Sequence, residues 1–318
     1  MTLAMNEGRS TLHFVCGKAG AGKTTLAREL GRTLPAGPPM LGQGSADVSS
    51  PGLLHAKAWA EAYELIDLQL SPLGLRAIEA LGVGLGDIVL DIGCGAGQTL
   101  LQLAERVGTE GQVIGVDMAP LLLEIARRRT EPLSRVRLIQ ADAQSLDLPS
   151  ESTDAVFSRF GVMTFNDPVA AFANFRRILR PSGALAFSCW RSLQENELDC
   201  LPLCAAGFES TVDDCPFSFA DPERIRRTLE AAGFSEIVIR SHDEKVSSGD
   251  LDAMTWVLLK VGPLGKIVRE NPALRGTAEP LLREALAALG DPSRVQLLAS
   301  AWIVTARAGA ATMNTKSG

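Results

Sequence analysis

The chain has little that would place it in a specialised class at a glance. It has no excess of basic charge: 31 lysines and arginines stand against 37 aspartates and glutamates, a formal net charge of −6, with no long block of either sign. A dedicated DNA- or RNA-binding surface is therefore disfavoured, because such surfaces draw much of their affinity from neutralising phosphates, and a small-molecule partner is the more natural expectation. Cysteines number six in 318 residues, at 16, 94, 189, 200, 204 and 215. That is too few for a disulfide scaffold and suits a reducing compartment. The N-terminus lacks the basic, apolar, small-residue order of a secretory leader, and no uninterrupted apolar run approaches the roughly 18 residues of a spanning helix. These absences predict a cytoplasmic protein without a membrane segment.

What remains is an ordinary globular composition, 46 % hydrophobic and 21 % charged, which excludes a disordered or collagen-like chain. At 318 residues the chain suits two domains or one decorated domain, since domains commonly run to about 100–150 residues.

Residues 11–16 (TLHFVC) read as a short strand, GKAGAGKT as a glycine loop and TLARELGRTL as a helix. Gly17 to Thr24 match G-x-x-x-x-G-K-[ST] in full. The unit resembles the start of P-loop kinases, which would place Gly17, Gly22, Lys23 and Thr24 at a nucleotide, Lys23 on the β/γ-phosphates and Thr24 on magnesium. A working P-loop needs a parallel sheet around its strand and an acidic residue from another strand, and about 35 residues are too few to supply them. Residues 1–34 therefore read as a partial P-loop unit, with kinase activity as the alternative function. Prolines 35, 38, 39 and 51 make residues 35–52 a linker.

Beyond it, AKAWAEAYELIDLQL and PLGLRAIEALGV read as two helices. Strands are expected at 87–91, 113–117, 136–140, 154–158, 184–189, 235–240 and 295–306, most of them apolar and bounded by Gly, Pro or Asp, as in strands buried on both faces of a sheet. Helical periodicity intervenes at 97–107, 119–129, 168–179 and 222–232. The expectation is an α/β, Rossmann-like, doubly wound sheet. The last two strands are separated by 241–294, an insertion with helices of its own near 250–270 and 279–289, and 309–318 read as a flexible tail.

In VLDIGCGAGQTLLQLAERV, Asp91 ends a strand and Gly93, Gly95 and Gly97 lead into a helix, so helix amides and bare backbone are offered to an anionic ligand. Asp117 ends the next strand, 26 residues on, where a carboxylate can accept both hydroxyls of a ribose; a helix cap is its other reading. The dinucleotide fingerprint would want glycine at 98, and Gln98 stands there, which disfavours a pyrophosphate.

The pattern D-x-G-x-G-x-G resembles the first motif of class I S-adenosylmethionine-dependent methyltransferases. GVDMAP, QADAQSLDLP, DAVFSRFGVMTFNDP and FRRILRPSGALAF resemble successive strand ends of that family, in order, over residues 53–308, and the nearest likeness is to the small-molecule (type 11) branch akin to quinone-biosynthesis C-methyltransferases. The resemblance implies S-adenosylmethionine as cofactor, seven strands with the last antiparallel, Asp91, Gly93, Cys94, Gly95 and Gly97 around the methionyl part, Asp117 at the ribose, Met118 beside the adenine, and Asp142 and Ala143 at the adenine amine. Asp142 also reads as a turn residue. Ser158 and Arg159, at the end of the fourth strand, are implied to be cofactor contacts, as is Tyr63, because the helix bearing Trp59 and Tyr63 is implied to close over the cofactor; packing on the sheet is the other reading of Tyr63. Two positions depart from the pattern: Ser182 stands where many members have glycine, and Phe175 where an acidic residue is common.

Transfer of a methyl group from a sulfonium is an in-line displacement, served by alignment and exclusion of water. No catalytic base is assigned, and His13, His55 and His242 read as structural or solvated. If the last strand is antiparallel, 241–294 begins and ends at the rim where ligands bind in such sheets, as a helical lid. Met254 and Trp256 within it favour a hydrophobic or aromatic acceptor, or simply pack. Cys200, Cys204 and Cys215 lack zinc-site spacing, so no metal is expected. A nucleoside-binding protein without catalysis is a further alternative, and the oligomeric state stays open.

Overall fold

The computed structural model describes residues 51–208 and 215–309. The P-loop match, with Gly17, Gly22, Lys23 and Thr24, lies outside the described residues, as do His13, nearly all of the expected linker and residues 310–318 of the expected tail.

A seven-stranded sheet organises the described chain. Its strands are β1 (Ile88–Ile92), β2 (Gln112–Asp117), β3 (Val136–Gln140), β4 (Thr153–Arg159), β5 (Leu179–Trp190), β6 (Phe234–Val246) and β7 (Leu297–Ala308), in the spatial order β3-β2-β1-β4-β5-β7-β6. Strands β1 to β5 are parallel to one another, and β7 runs antiparallel to both β5 and β6. The central strands are apolar because both faces are covered: Val89, Leu90 and Phe157 have no exposure at all. Strand β6 instead mixes half-buried and exposed residues along a charged edge, Arg240 to Lys245, which suits a strand that must not recruit another chain.

The helices are α1 (Pro51–Leu81), α2 (Gln98–Val107), α3 (Pro120–Thr130), α4 (Pro168–Ile178), α5 (Glu197–Ala206), α6 (Pro222–Ala231), α7 (Leu251–Leu258), α8 (Gly262–Glu270) and α9 (Arg275–Ala287). Their starts are written locally. Asp167, Asp221 and Asp250 each accept a backbone N–H in the first turn of α4, α6 and α7, and Pro168 and Pro222 hold the first helical position. Helices α4 and α6 pack on one face around Phe172, whose ring lies 5.5–6.5 Å from those of Phe175, Phe187, Phe219 and Phe234. Phe175 is therefore fully buried where a charge would have no partner. On the other face lie α2, α3 and the C-terminal half of α1. The N-terminal half of α1 joins α5, α7, α8 and α9 in a separate apolar cluster with the start of β7.

Four expectations are corrected. The two helices expected after residue 53 are one, α1, which begins at Pro51 and carries Pro72 inside it; burial of Leu70, Leu73, Ala77 and Ile78 on either side outweighs the missing hydrogen bond at the proline. Strand β6 runs on to Val246 and β7 starts at Leu297, so the intervening segment is shorter than 241–294 and carries three α-helices rather than two. Helix α5 was not expected; ELDCLPLCAA contains Pro202 and almost no polar face. Strand β5 reaches back to Leu179 through an irregular pairing, and Ser182 there has φ 63°. The left-handed backbone explains why glycine suits that position.

Phe172→Ala should cost about 3–5 kcal/mol of stability and Phe172→Leu distinctly less, measured by urea unfolding. A loss under about 1 kcal/mol for the alanine variant would contradict the central place given to this ring.

Candidate functional site

The glycine loop between β1 and α2 is tied down by its own backbone. Gly93 and Cys94 donate to Val116 O at 2.8 and 3.1 Å, and Gly97 donates to Cys94 O at 2.9 Å. All three glycines have positive φ, and they differ in what surrounds them. A Cβ on Gly93 would lie 3.0 Å from the Cα of Gly161, and one on Gly97 3.0 Å from the Cα of Ala126, whereas nothing lies within 4 Å of one on Gly95. Gly93 and Gly97 thus serve close backbone packing, while Gly95 borders open space that a ligand can use.

Asp91 is wholly buried at the end of β1. Thr99 donates to its Oδ2, and its Oδ1 has no hydrogen-bond partner. Burial pushes its carboxyl up to about 7; the Thr99 hydrogen bond and the Arg159 charge oppose that, and nearby Asp117 adds to it. Cys94, almost as buried, has its thiol pushed far up by burial as well. Its Sγ lies 3.0 Å from an ideal Cβ on Gly115, so the side chain is packing, and what it can offer a ligand is backbone. Asp117 bridges two segments: Oδ2 accepts from Gly95 N at 2.9 Å and Oδ1 from Ala119 N at 2.8 Å. Its carboxyl is raised by burial, against these backbone hydrogen bonds. The residue that caps α3 is Ala119 rather than Asp117, which sets aside the helix-cap reading.

Asp142 is a turn residue, capping a short 3-10 helix at Ala143–Ser145 by accepting from Gln144 N at 2.9 Å. Its side chain also takes the Gln144 amide at 3.2 Å. Ala143 is buried beneath it, and Met118 is 62 % exposed beyond the end of β2.

Ser158 and Arg159 face inward. Ser158 Oγ donates to Ile92 O at 2.8 Å and accepts from Gly161 N at 3.1 Å, joining the ends of β1 and β4. The Arg159 guanidinium bonds Gln98 Oε1 and lies 3.5 Å from Asp67 on α1. Its stem passes so close to Gly74 that a Cβ there would sit 2.8 Å from its Cδ. Burial lowers its pKa, and the Asp67 and Asp91 charges hold it up. Asp67 also pairs with Arg129 of α3 at 2.8 Å, and Arg129 donates to Ala96 O at 3.0 Å. Tyr63 lies one helical turn before Asp67 with its ring 5.2 Å from the Arg129 guanidinium, while its hydroxyl turns outward to Glu64. Helix α1 is thus clasped to the glycine loop by charge. Asp67 and Arg129 were missed by the sequence reading, and Gln98 was read only as a missing glycine; the signal available for Asp67 was its i, i+4 spacing from Tyr63.

The ends of β4 and β5 at the same rim carry Phe160 and Trp190, stacked with ring centroids 3.9 Å apart. His242 lies on edge strand β6, paired in register with Ala301 and 3.4 Å from Glu244, and His55 is exposed beside Arg269 and Trp59. Cys200 and Cys204 are neighbours on α5, with sulfurs 3.7 Å apart. Among the described residues no three His, Cys, Asp or Glu side chains cluster as metal ligands, and no helix is long and apolar enough to cross a membrane.

Residues 89–183 match the family model of a methyltransferase domain. The chain is 28 % identical over 183 residues to demethylmenaquinone methyltransferase of Staphylococcus saprophyticus, an alignment covering 52 % of this chain and 78 % of the relative. It is 37 % identical over 120 residues to aklanonic acid methyltransferase DauC of Streptomyces sp. strain C5, covering 37 % of this chain and 54 % of the relative. Among solved structures, phosphoethanolamine N-methyltransferase 2 of Haemonchus contortus, in complex with S-adenosyl-L-methionine, superposes with a TM-score of 0.52 at 18 % identity, covering 84 % of this chain and 61 % of that one. The YcgJ protein of Bacillus subtilis gives 0.50 at 18 % identity, covering 74 % and 97 %. These two likenesses show the fold.

Asp199 on α5 is buried, and burial pushes its carboxyl up to about 7 from an ordinary 3.8. A group whose folded pKa is raised holds a proton in the folded state that the unfolded chain has released, so its contribution to stability is full below about pH 4 and is lost as pH rises to about 7. Stability curves of the wild type and Asp199→Asn should therefore diverge across this window, the wild type losing ground as pH rises. A constant difference between them from pH 4 to 7 would contradict the raised pKa.

Proposed function

We propose that this chain, a class I S-adenosylmethionine-dependent methyltransferase, methylates a small hydrophobic or aromatic metabolite at the C-terminal rim of its sheet. The observation that carries the reading is the pairing, at that rim, of a cradle short of one partner with an apolar wall. Asp91 is buried with a bare oxygen beside a loop whose Gly95 borders open space, and the Phe160–Trp190 stack stands at the neighbouring strand ends. The relatives named for demethylmenaquinone and aklanonic acid support an acceptor of this kind. The net charge of −6 supports a small molecule over nucleic acid.

The cofactor supplies an electrophilic methyl group on a sulfonium. The chain's residues suit the rest of that molecule. Asp91 Oδ1 takes the ammonium of the amino-acid part, which supplies the partner it lacks. Asp117 accepts the ribose hydroxyls on lone pairs left free by the Gly95 and Ala119 amides, since each carboxylate oxygen can accept twice. Met118 offers an apolar surface to the adenine, and Asp142 and Ala143 its polar edge. Ser158 and Arg159 act behind the loop, holding it in shape. Helix α1, Tyr63 included, and helices α7–α9 exclude water from above, so that the acceptor is held in line with the methyl group. Residues 53–308 then form one methyltransferase unit in which the helices between β6 and β7 are a lid, and the N-terminal P-loop match takes no part: Lys23→Ala should leave methyl transfer unchanged.

Calorimetry with S-adenosylmethionine, S-adenosylhomocysteine, NAD and ATP tests the cofactor. Tight NAD binding without a response to S-adenosylmethionine would sink the reading. Asp117→Ala should weaken cofactor affinity by about 1.5–3 kcal/mol.

The Asp91 carboxyl, pushed up to about 7 by burial, is protonated below neutrality, and an ammonium beside it favours the ionised form. Cofactor binding should therefore release protons, and affinity should rise from about pH 5 to about pH 7. Titrations in buffers of different ionisation enthalpy read the release, and Asp91→Asn should abolish it. Equal proton release in the variant would remove Asp91 from this role.

A further inference from the structure

The geometry points to the Phe160–Trp190 stack as the acceptor subsite, a flat wall that takes a planar aromatic ring in preference to a saturated one. This rests on the methyltransferase reading, because the wall matters for acceptor choice only if the methyl donor sits beside it.

Its placement follows from the backbone. Phe160 is the first residue past β4, and Phe160 N donates to Ser188 O at 3.0 Å. The next residue, Gly161, is pressed into the glycine loop: a Cβ there would lie 2.7 Å from Ile92 O and 3.1 Å from the Cα of Gly93. The Phe160 ring is therefore rooted one residue from the cradle. Phe160 itself has φ 58°, a left-handed backbone that an aromatic residue adopts only where the surroundings impose it, and such residues gather at binding sites. Trp190 ends β5 alongside, its backbone N–H directed at Met163 Sδ at 3.4 Å.

The pair differs from every other ring contact among the described residues. Those are tilted or edge-on with centroids at least 5.5 Å apart, whereas this one is stacked at 3.9 Å with an interplanar angle of 20°. It also lies where the two apolar clusters meet, packed against both and fully buried in neither, while Phe157, Phe172, Phe175 and Phe187 are sealed. Two near-parallel rings at a ligand rim can extend their stack to a third, with offset ring overlap as the selecting interaction.

The probes are 1,4-dihydroxynaphthalene and the saturated decalin-1,4-diol, titrated by calorimetry into full-length protein saturated with S-adenosylhomocysteine. The aromatic probe should bind about tenfold tighter than the saturated one, and Phe160→Leu and Trp190→Leu should each erase most of that preference. Trp190→Phe and Phe160→Tyr, which keep a ring and guard against a misfolded variant, should preserve it. S-adenosylhomocysteine affinity should be the same in all four variants. Equal affinity for the two probes, no binding of either, or a preference that survives both leucine variants would overturn the subsite. Failure of S-adenosylhomocysteine to bind the wild type would instead overturn the methyltransferase reading.

Discussion

The buried guanidinium of Arg159 is the constraint around which the rim is assembled. A charge placed this deep is tolerated only if paired, and its partners come from three elements: Asp67 from α1, Gln98 from the start of α2, and the field of Asp91 from β1. Satisfying one charge therefore fixes the helix, the glycine loop and the strand ends together. Gly74 is the concession α1 makes, since a side chain there would meet the arginine stem. Asp67, shared with Arg129, carries the clasp on to α3, so the wall of the cradle is electrostatic where its floor is backbone.

That clasp explains a division of labour among acids of the same type. Asp91 is buried and short of one partner, Asp117 is spent on two amides yet keeps lone pairs, and Asp142 shapes a turn. What each can offer a ligand is set by what already holds it. The apolar side of the rim is built differently, from strand ends that close in aromatic rings and from helices that pack over them as a separate cluster.

Much of this was legible in residue order. Long apolar segments bounded by Gly, Pro and Asp announced buried strands, and Asp91 with the three glycines announced a strand–loop–helix turn, because both signals are local. The single helix α1 was not legible, since Pro72 and Gly74 are local breakers overruled by burial along the rest of its length. Helix α5 was missed for the opposite reason: apolar along most of its length and with no exposed face, it shows little periodicity to see. Ser182 and Phe175 looked like departures from a pattern, and each has a physical setting, a left-handed backbone in one case and a sealed aromatic cluster in the other.

The sequence by itself determined the order of the sheet's strands along the chain and the glycine loop after β1, because these depend on neighbours a few residues apart. Only the tertiary structure decided what the polar residues do there. Arg159, placed by its position at a strand end among the cofactor contacts, turns inward to Asp67 and Gln98. Phe160 and Trp190, 30 residues apart and unremarked in the sequence, meet as one wall. The reason is that burial and pairing of charges and rings are settled by contacts between distant segments, which spacing along the chain does not record.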